Sequence, residues 1–215
     1  MENVRREQSM IVGDFSEEKK QPKRSNALAR LLEVVFAALM LLVLSPLLLA
    51  VALLIRIESK GPAMFKQQRG GLYGRHFTIY KFRTMEHGRD KKRNRTNPFD
   101  GDPSITKVGN ILRKTSIDEL PQLINIVKGD MSFIGPRPTV TDQTDNYNDY
   151  QKQRLMVKPG VTGLAQVSGR NTLSWDEKID IDIDYINRKS LRLDLYILVQ
   201  TVVKVFRTEE IYEKS

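Results

Sequence analysis

Val34 to Ile55 run for 22 residues without a charge, VVFAALMLLVLSPLLLAVALLI. A helix needs about 20 apolar residues to match a bilayer core, so this stretch reads as a membrane segment. A core helix of a soluble domain seldom stays apolar all round. A cleaved signal also fits poorly, because the run starts late and no small-residue site precedes Arg56. Ser45-Pro46 breaks the middle of the run. Pro46 has no N–H and crowds the carbonyl four residues back, so a helix through it bends. The Ser45 hydroxyl can satisfy a freed carbonyl there. Lys19, Lys20, Lys23, Arg24 and Arg30 precede the run, and Arg56, Lys60, Lys66 and Arg69 follow it. Positive flanks mark the cytoplasmic side, and here both flanks are positive. A helix that enters, bends and returns to one face satisfies this, and a kinked spanning helix is the alternative; the pattern leaves both open.

Elsewhere the periods are shorter. Residues 1–27 are polar and read as a flexible arm. Phe77, Ile79 and Phe82 roughly alternate with Thr78, Tyr80 and Lys81 between glycines, which predicts a short strand or hairpin. Residues 86–104 read as a polar loop, with Arg89 to Arg95 as solvated charge. Ile105, Val108, Ile111 and Leu112 fall at helical steps. Ser116 followed by Glu119 has the form of a capping box. Pro121 argues against a regular helix there, so 116–120 is expected as a bent lead-in to a helix over about 121–128, ended by Gly129. Residues 142–158 look helical, and 158–171 read as a loop around a short strand. KIDIDIDYI, 178–186, alternates like a strand, yet Ile179, Asp182 and Tyr185 also keep helical steps. Leu195, Leu198, Val199, Val202 and Phe206 share one helical face, of a core helix or one lying at a membrane interface.

Composition narrows the chemistry. The 215 residues contain no Cys and two His, which excludes disulfides, thiolate catalysis and Cys-ligated metals and leaves carboxylates for a hard ion such as Mg²⁺. The net charge of +9 is concentrated in residues 56–95, which hold twelve basic and three acidic residues directly after the apolar run. Such a block suits an anionic membrane surface, a phosphorylated substrate or nucleic acid. Aromatics are not interleaved with Arg89 to Arg95 as stacking platforms would be, which speaks against nucleic acid.

Candidate chemistry sits on few residues. Asp118-Glu119 is an acid pair near a helix start, where one carboxylate can act as nucleophile or metal ligand while the other assists. Arg137, held between prolines in GPRP at 135–138, presents a guanidinium on a stiff turn suited to phosphate. Arg170 lies in a Gly-rich loop, and of Lys81 and Arg83 only one is expected to face a site. No P-loop, GxGxxG or Ser-His-Asp set occurs.

In combination, LSPLLL, GPAMFKQQRGGLYGRHFTIYKFRTM, TSIDELPQLINIVKGDMSFIGPRP, KPGVTGLAQVSGRN and the pattern of Trp175, Asp182 and Tyr185 make the chain resemble the bacterial sugar transferase family, the small monotopic polyprenyl-phosphate phosphoglycosyl transferases. The resemblance runs from about residue 28 to 205. It implies transfer of a sugar 1-phosphate from a UDP-sugar to undecaprenyl phosphate, releasing UMP, as the first membrane step of surface glycan assembly. By that resemblance Asp118 is the nucleophile, forming a covalent phosphosugar intermediate, and holds Mg²⁺. Glu119 would activate the lipid phosphate or assist the metal. Lys81, Arg83, Arg113, Arg137 and Arg170 are carried over as phosphate contacts, and Ser45-Pro46 as the break in a re-entrant helix.

The expected fold is α+β, mostly helical with a small β element, monotopic, with interfacial amphipathic helices. An arm at 1–27, a re-entrant helix at 28–57 and a catalytic domain at 58–215 would make up the chain. It is expected at the cytoplasmic face of the bacterial inner membrane, with a homodimer implied and no nucleic-acid partner. A membrane-anchored basic adaptor or scaffold without catalysis is the competing reading.

Overall fold

A computed structural model describes residues 27–86, 102–169 and 172–206. The polar arm (except Ala27), the Arg89 to Arg95 cluster and Arg170 lie outside the described residues.

The apolar run forms one continuous helix, α1, Ala27–Glu58, with Pro46 inside it. Pro46 frees the Leu42 carbonyl, and the Ser45 hydroxyl donates to that carbonyl at 2.7 Å, as the dipeptide predicts. Only one narrow stripe of α1 is buried, and Leu31, Leu39, Leu42, Val43, Leu49 and Leu53 are exposed. Among the described residues α1 is the one helix long and apolar enough to cross a membrane.

The alternating segment is a hairpin. Strands β1, Met64–Gly70, and β2, His76–Phe82, pair antiparallel from Met64 opposite Phe82 to Gly70 opposite His76. Phe77, Ile79 and Lys81 share one face of β2, and the cross-strand partners Arg69, Gln67 and Phe65 share it too. The outer edge of β2 is satisfied by a side chain. Asn125, fully buried, accepts from the Tyr80 N–H at 3.1 Å and donates to the Thr78 carbonyl at 2.7 Å.

Helix α2, Lys107–Lys114, is capped by Thr106, whose hydroxyl accepts from the Gly109 N–H at 2.9 Å. A 3₁₀ turn, Ile117–Gln122, leads into α3, Leu123–Lys128, and Gly129 ends α3 at φ 93°. The bent lead-in is as expected, although the α-helix begins at Leu123. Two short helices, α4 (Thr141–Thr144) and α5 (Asp149–Lys152), and a 3₁₀ turn at Gln153–Met156 make up the segment expected as helical.

Strand β3, Ser132–Ile134, had no signal in the sequence; it pairs parallel with β4, Gly160–Thr162. A Cβ on Gly160 would lie 2.1 Å from the Gly135 nitrogen, so these glycines let the GPRP turn press against the strand. After α6, Leu164–Ser168, comes α7, Trp175–Arg188, opened by a Ser174/Glu177 capping box. Its buried Ile179, Asp182, Ile183, Tyr185 and Ile186 settle the ambiguous KIDIDIDYI as helix. Helix α8, Leu191–Phe206, buries Ile197 and exposes Leu195, Leu198, Val199 and Val202, so the apolar face seen in the sequence points outward.

Both halves of α1 pack on the same folded domain. Ala37 lies in a cluster with Phe77, Ile79, Leu123, Ile126 and Met131. Val51 and Ile55 lie in another with Phe82 and Leu112. The ends are tied as well. Glu33 accepts from the Ser132 hydroxyl and from the Phe133 N–H at 2.8 Å, and Arg30 donates to the Ile126 and Met131 carbonyls. At the other end Glu58 accepts from the Val108 N–H at 3.1 Å.

Candidate active site

Asp118 and Glu119 stand in the 3₁₀ turn that separates α2 from α3. Ser116 enters the turn at φ 56° and ψ 15°, a left-handed conformation uncommon outside glycine. Its side chain caps nothing. The capping box suggested by Ser116 and Glu119 therefore does not form, because stronger partners take the Glu119 carboxylate. Lys81 Nζ donates to Glu119 Oε1 at 2.7 Å, Arg137 Nη2 donates to Oε1 at 2.6 Å, and Arg137 Nη1 donates to Oε2 at 3.2 Å. Charge-assisted, forked bonds of this kind outcompete a neutral backbone N–H.

Asp118, next to it, makes no side-chain hydrogen bond or ion pair among the described residues. The two carboxyls are thus driven apart. Burial, followed by the neighbouring charge of Glu119, raises Asp118 to about 6, against the pull of Lys81, Arg137 and Arg113. Burial acts the same way on Glu119, but Arg137 and Lys81 overcome it and hold that carboxyl well below the usual range. The Glu119 charge in turn raises Arg137. Burial lowers Lys81 despite Glu119.

The sequence-picked cations separate into groups. Lys81 and Arg137 meet at Glu119. Arg113 donates through Nε to the Thr84 hydroxyl at 2.9 Å and acts electrostatically on Asp118. Arg83 goes elsewhere. It is buried at the end of α1, where Nη1 donates to the Lys60 carbonyl at 2.8 Å and Nη2 to the Ser59 carbonyl at 2.8 Å. Its placement is that of a cap on the helix C-terminus, where a cation also meets the negative end of the dipole, and not that of a phosphate contact. Of the two, Lys81 reaches the acid pair and Arg83 does not; residues two apart in a strand share a face, so the separation comes from the end of the strand. Arg83 lies just past β2, and carbonyls at and just beyond the end of α1 claim it.

Arg69, Gln122 and a buried frame behind Arg137 escaped the sequence reading. Arg69 lines a small, shallow cleft with Lys81, Gln122, Arg137 and Pro138. The signal for it was available, because the hairpin register puts Arg69 on the Lys81 face. The frame centres on Arg154, which donates through Nε to Asp182 Oδ2 at 2.9 Å, through Nη1 to the Tyr147 hydroxyl at 2.7 Å and through Nη2 to the Arg137 carbonyl at 3.3 Å. Trp175 covers its guanidinium, 5.2 Å from the ring centroid. Among the described residues no group of three or more acidic or His side chains could cage a metal. Asp118 is the carboxylate of the pair that could serve as a ligand to a hard ion, which binds through one or two carboxylates and substrate phosphates.

The arrangement is an apolar helix docked on a domain that carries an acid pair framed by cations. The chain belongs to the bacterial sugar transferase family, whose pattern matches residues 24–208, and is a phosphoglycosyl transferase. The chain is 44% identical over 188 residues to the uncharacterized sugar transferase EpsL of Bacillus subtilis, covering 87% of this chain and 92% of that protein. It is 46% identical over 192 residues to the UDP-glucose:undecaprenyl-phosphate glucose-1-phosphate transferase of Caulobacter vibrioides, covering 85% of this chain and 71% of the relative. The Escherichia coli protein of the same name is 39% identical over 86% of this chain, which spans 41% of that longer relative.

Proposed function

We propose that the chain transfers a sugar 1-phosphate from a UDP-sugar to undecaprenyl phosphate, by way of a covalent phosphosugar on Asp118. The observation that carries this reading is the division of labour in the acid pair. Glu119 is spent on Lys81 and Arg137, and Asp118 is left without a partner beside them. A carboxylate nucleophile must be free of strong hydrogen bonds and yet lie within a field that draws in a polyanion.

In the first step an Asp118 carboxylate oxygen attacks the sugar-bearing phosphorus. The bond from that phosphorus to the bridging oxygen breaks, and UMP departs with the electron pair. In the second step an oxygen of undecaprenyl phosphate attacks the same phosphorus, and the Asp118 carboxylate leaves. Lys81, Arg113 and Arg137 neutralise the approaching phosphoryl oxygens. Mg²⁺, held by Asp118 and the substrate phosphates, would supply further neutralisation of that charge. Glu119 is too weak a base, between two cations, to take a proton readily. Its role is to hold Lys81 and Arg137 in register.

The helix reading follows from the same packing. Both ends of α1 dock on one domain, which supports a helix that enters and leaves the membrane on that domain's face, with the Ser45-Pro46 break between. The exposed apolar face of α8 lies at the interface beside it. The positive flanks support the cytoplasmic side for that face, where a UDP-sugar is available.

The test is a single-turnover assay. The wild-type chain, given a panel of UDP-sugars and Mg²⁺ without lipid, is expected to release about one UMP per enzyme with one of them, and to turn over on adding undecaprenyl phosphate. Asp118→Asn is expected to release none. Full turnover by that variant would overturn the nucleophile assignment.

A further inference from the structure

The cleft beside the acid pair holds more cationic and donor capacity than its own structure uses. Arg69, Lys81 and Arg137 line it, and Glu119 is the carboxylate that answers them. Gln122, also in its wall, is 1% exposed, and its Nε2 has no hydrogen-bond partner among the described residues. Arg69 spends Nη1 on the Pro138 carbonyl at 3.2 Å and Nη2 on Gln67 Oε1 at 2.6 Å, while its buried Nε is also unpartnered. Burial and the nearby Arg137 lower Arg69 to about 10, still charged at neutral pH.

Like charges are not gathered in a half-buried cleft without cost, and a buried amide donor left unpaired is costly as well. Such groups in a native structure call for an explanation, and a bound anion is one that also accounts for the gathered cations. A ligand that completes guanidinium, ammonium and amide donors together is an oxyanion with several acceptor oxygens.

We propose that Arg69 and Gln122, with Lys81 and Arg137, form a phosphoryl-binding subsite beside Asp118. Calling the phosphoryl group a substrate's rests on the transferase reading above. Both substrates carry one. The diphosphate of the nucleotide sugar and the phosphate of the lipid acceptor offer the same oxygens to these donors.

Gln122→Leu is the sharpest probe, because it keeps the side-chain volume and removes a donor that bonds nothing in the protein. The full chain in detergent micelles is titrated with inorganic pyrophosphate, with and without Mg²⁺, and its Tm and both KM values are measured. Gln122→Leu is expected to melt at or above the wild-type temperature and to bind pyrophosphate at least tenfold more weakly. Arg69→Lys, which keeps the charge but not the fork, is expected to weaken it similarly. A rise in KM for the UDP-sugar alone assigns the subsite to the donor diphosphate, and a rise for undecaprenyl phosphate alone assigns it to the acceptor. Unchanged pyrophosphate affinity together with unchanged KM values overturns the proposal, whatever happens to Tm. A wild-type chain that binds pyrophosphate through Gln122 but releases no UMP from any UDP-sugar would defeat the transferase reading and leave the subsite standing.

Discussion

Arg137 grips both oxygens of Glu119, with Nη2 2.6 Å from Oε1 and Nη1 3.2 Å from Oε2, while its own backbone carbonyl accepts from the buried Arg154. The guanidinium is nevertheless 48% exposed, so one face is fixed by the protein and the other is open to a substrate. Glu119, at 18% exposure, is therefore an anchor for two cations that also have work to do on an anion.

Loss of the Glu119 charge should free Lys81 and Arg137 to repel one another and drift. Glu119→Gln is expected to lower kcat on the order of 10²-fold, the usual scale for losing one preorganised oxyanion donor. Glu119→Asp, which keeps the charge on a shorter stem, should fall between that variant and wild type. Steady-state UMP release, with circular dichroism to confirm folding, checks both.

The acid limb of the reaction should report Asp118. Its carboxyl is raised to about 6, so lowering the pH through that value adds a proton to the group that must attack as an anion. The UMP burst rate is expected to be flat above pH 7 and to fall about tenfold per pH unit well below 6. Arg113 favours the ionised form. Arg113→Met should move the midpoint upward, and Glu119→Gln, which removes a like charge, should move it downward. A midpoint that stays fixed in both variants would mean that another group controls the limb.

The frame behind Arg137 gives a stability prediction. Arg154 and Asp182 are both almost wholly buried, 2.5 Å apart, so neither charge has water to fall back on. Arg154→Met or Asp182→Leu alone is expected to cost about 3–5 kcal/mol by stranding the partner. The double variant should lose much less, because an apolar pair of similar volume strands nothing. Equilibrium unfolding in detergent measures each. The double variant should still lose activity, since Arg154 no longer holds the Arg137 carbonyl.

What the chain disclosed in advance depended on the range of the interaction. Local signals were readable: the Ser45 bond to the carbonyl that Pro46 frees, the turn bent by Pro121, the helix ended by Gly129, the hairpin between glycines. Nonlocal competition was not. Ser116 and Glu119 are spaced for a capping box, but Lys81, 38 residues away, and Arg137, 18 away, outbid the local N–H. Arg83 matches the motif around Lys81, yet the open carbonyls at the end of α1 absorb it. The alternation of Ile and Asp in 178–186 satisfied two periods at once, and burial of Asp182 against Arg154 favoured the helix. Strand β3 is three residues long and pairs across 28 residues, too short to leave a periodic trace.

The topology proposed for α1 is testable at its two ends. Glu33 is bonded to β3 near one end, and Arg83 caps the other, so a single folded domain grips both. A helix crossing the bilayer upright would carry one of those ends to the far side, about 48 Å away at 1.5 Å per residue, and break one set of bonds. Cysteines placed singly at Ala27 and Lys60, both exposed in this Cys-free chain, report the two sides. In intact spheroplasts both are expected to resist a membrane-impermeant maleimide, and both should react once the membrane is permeabilised. Labelling of Ala27→Cys from outside, with Lys60→Cys still protected, would establish a spanning helix and set aside the bent one.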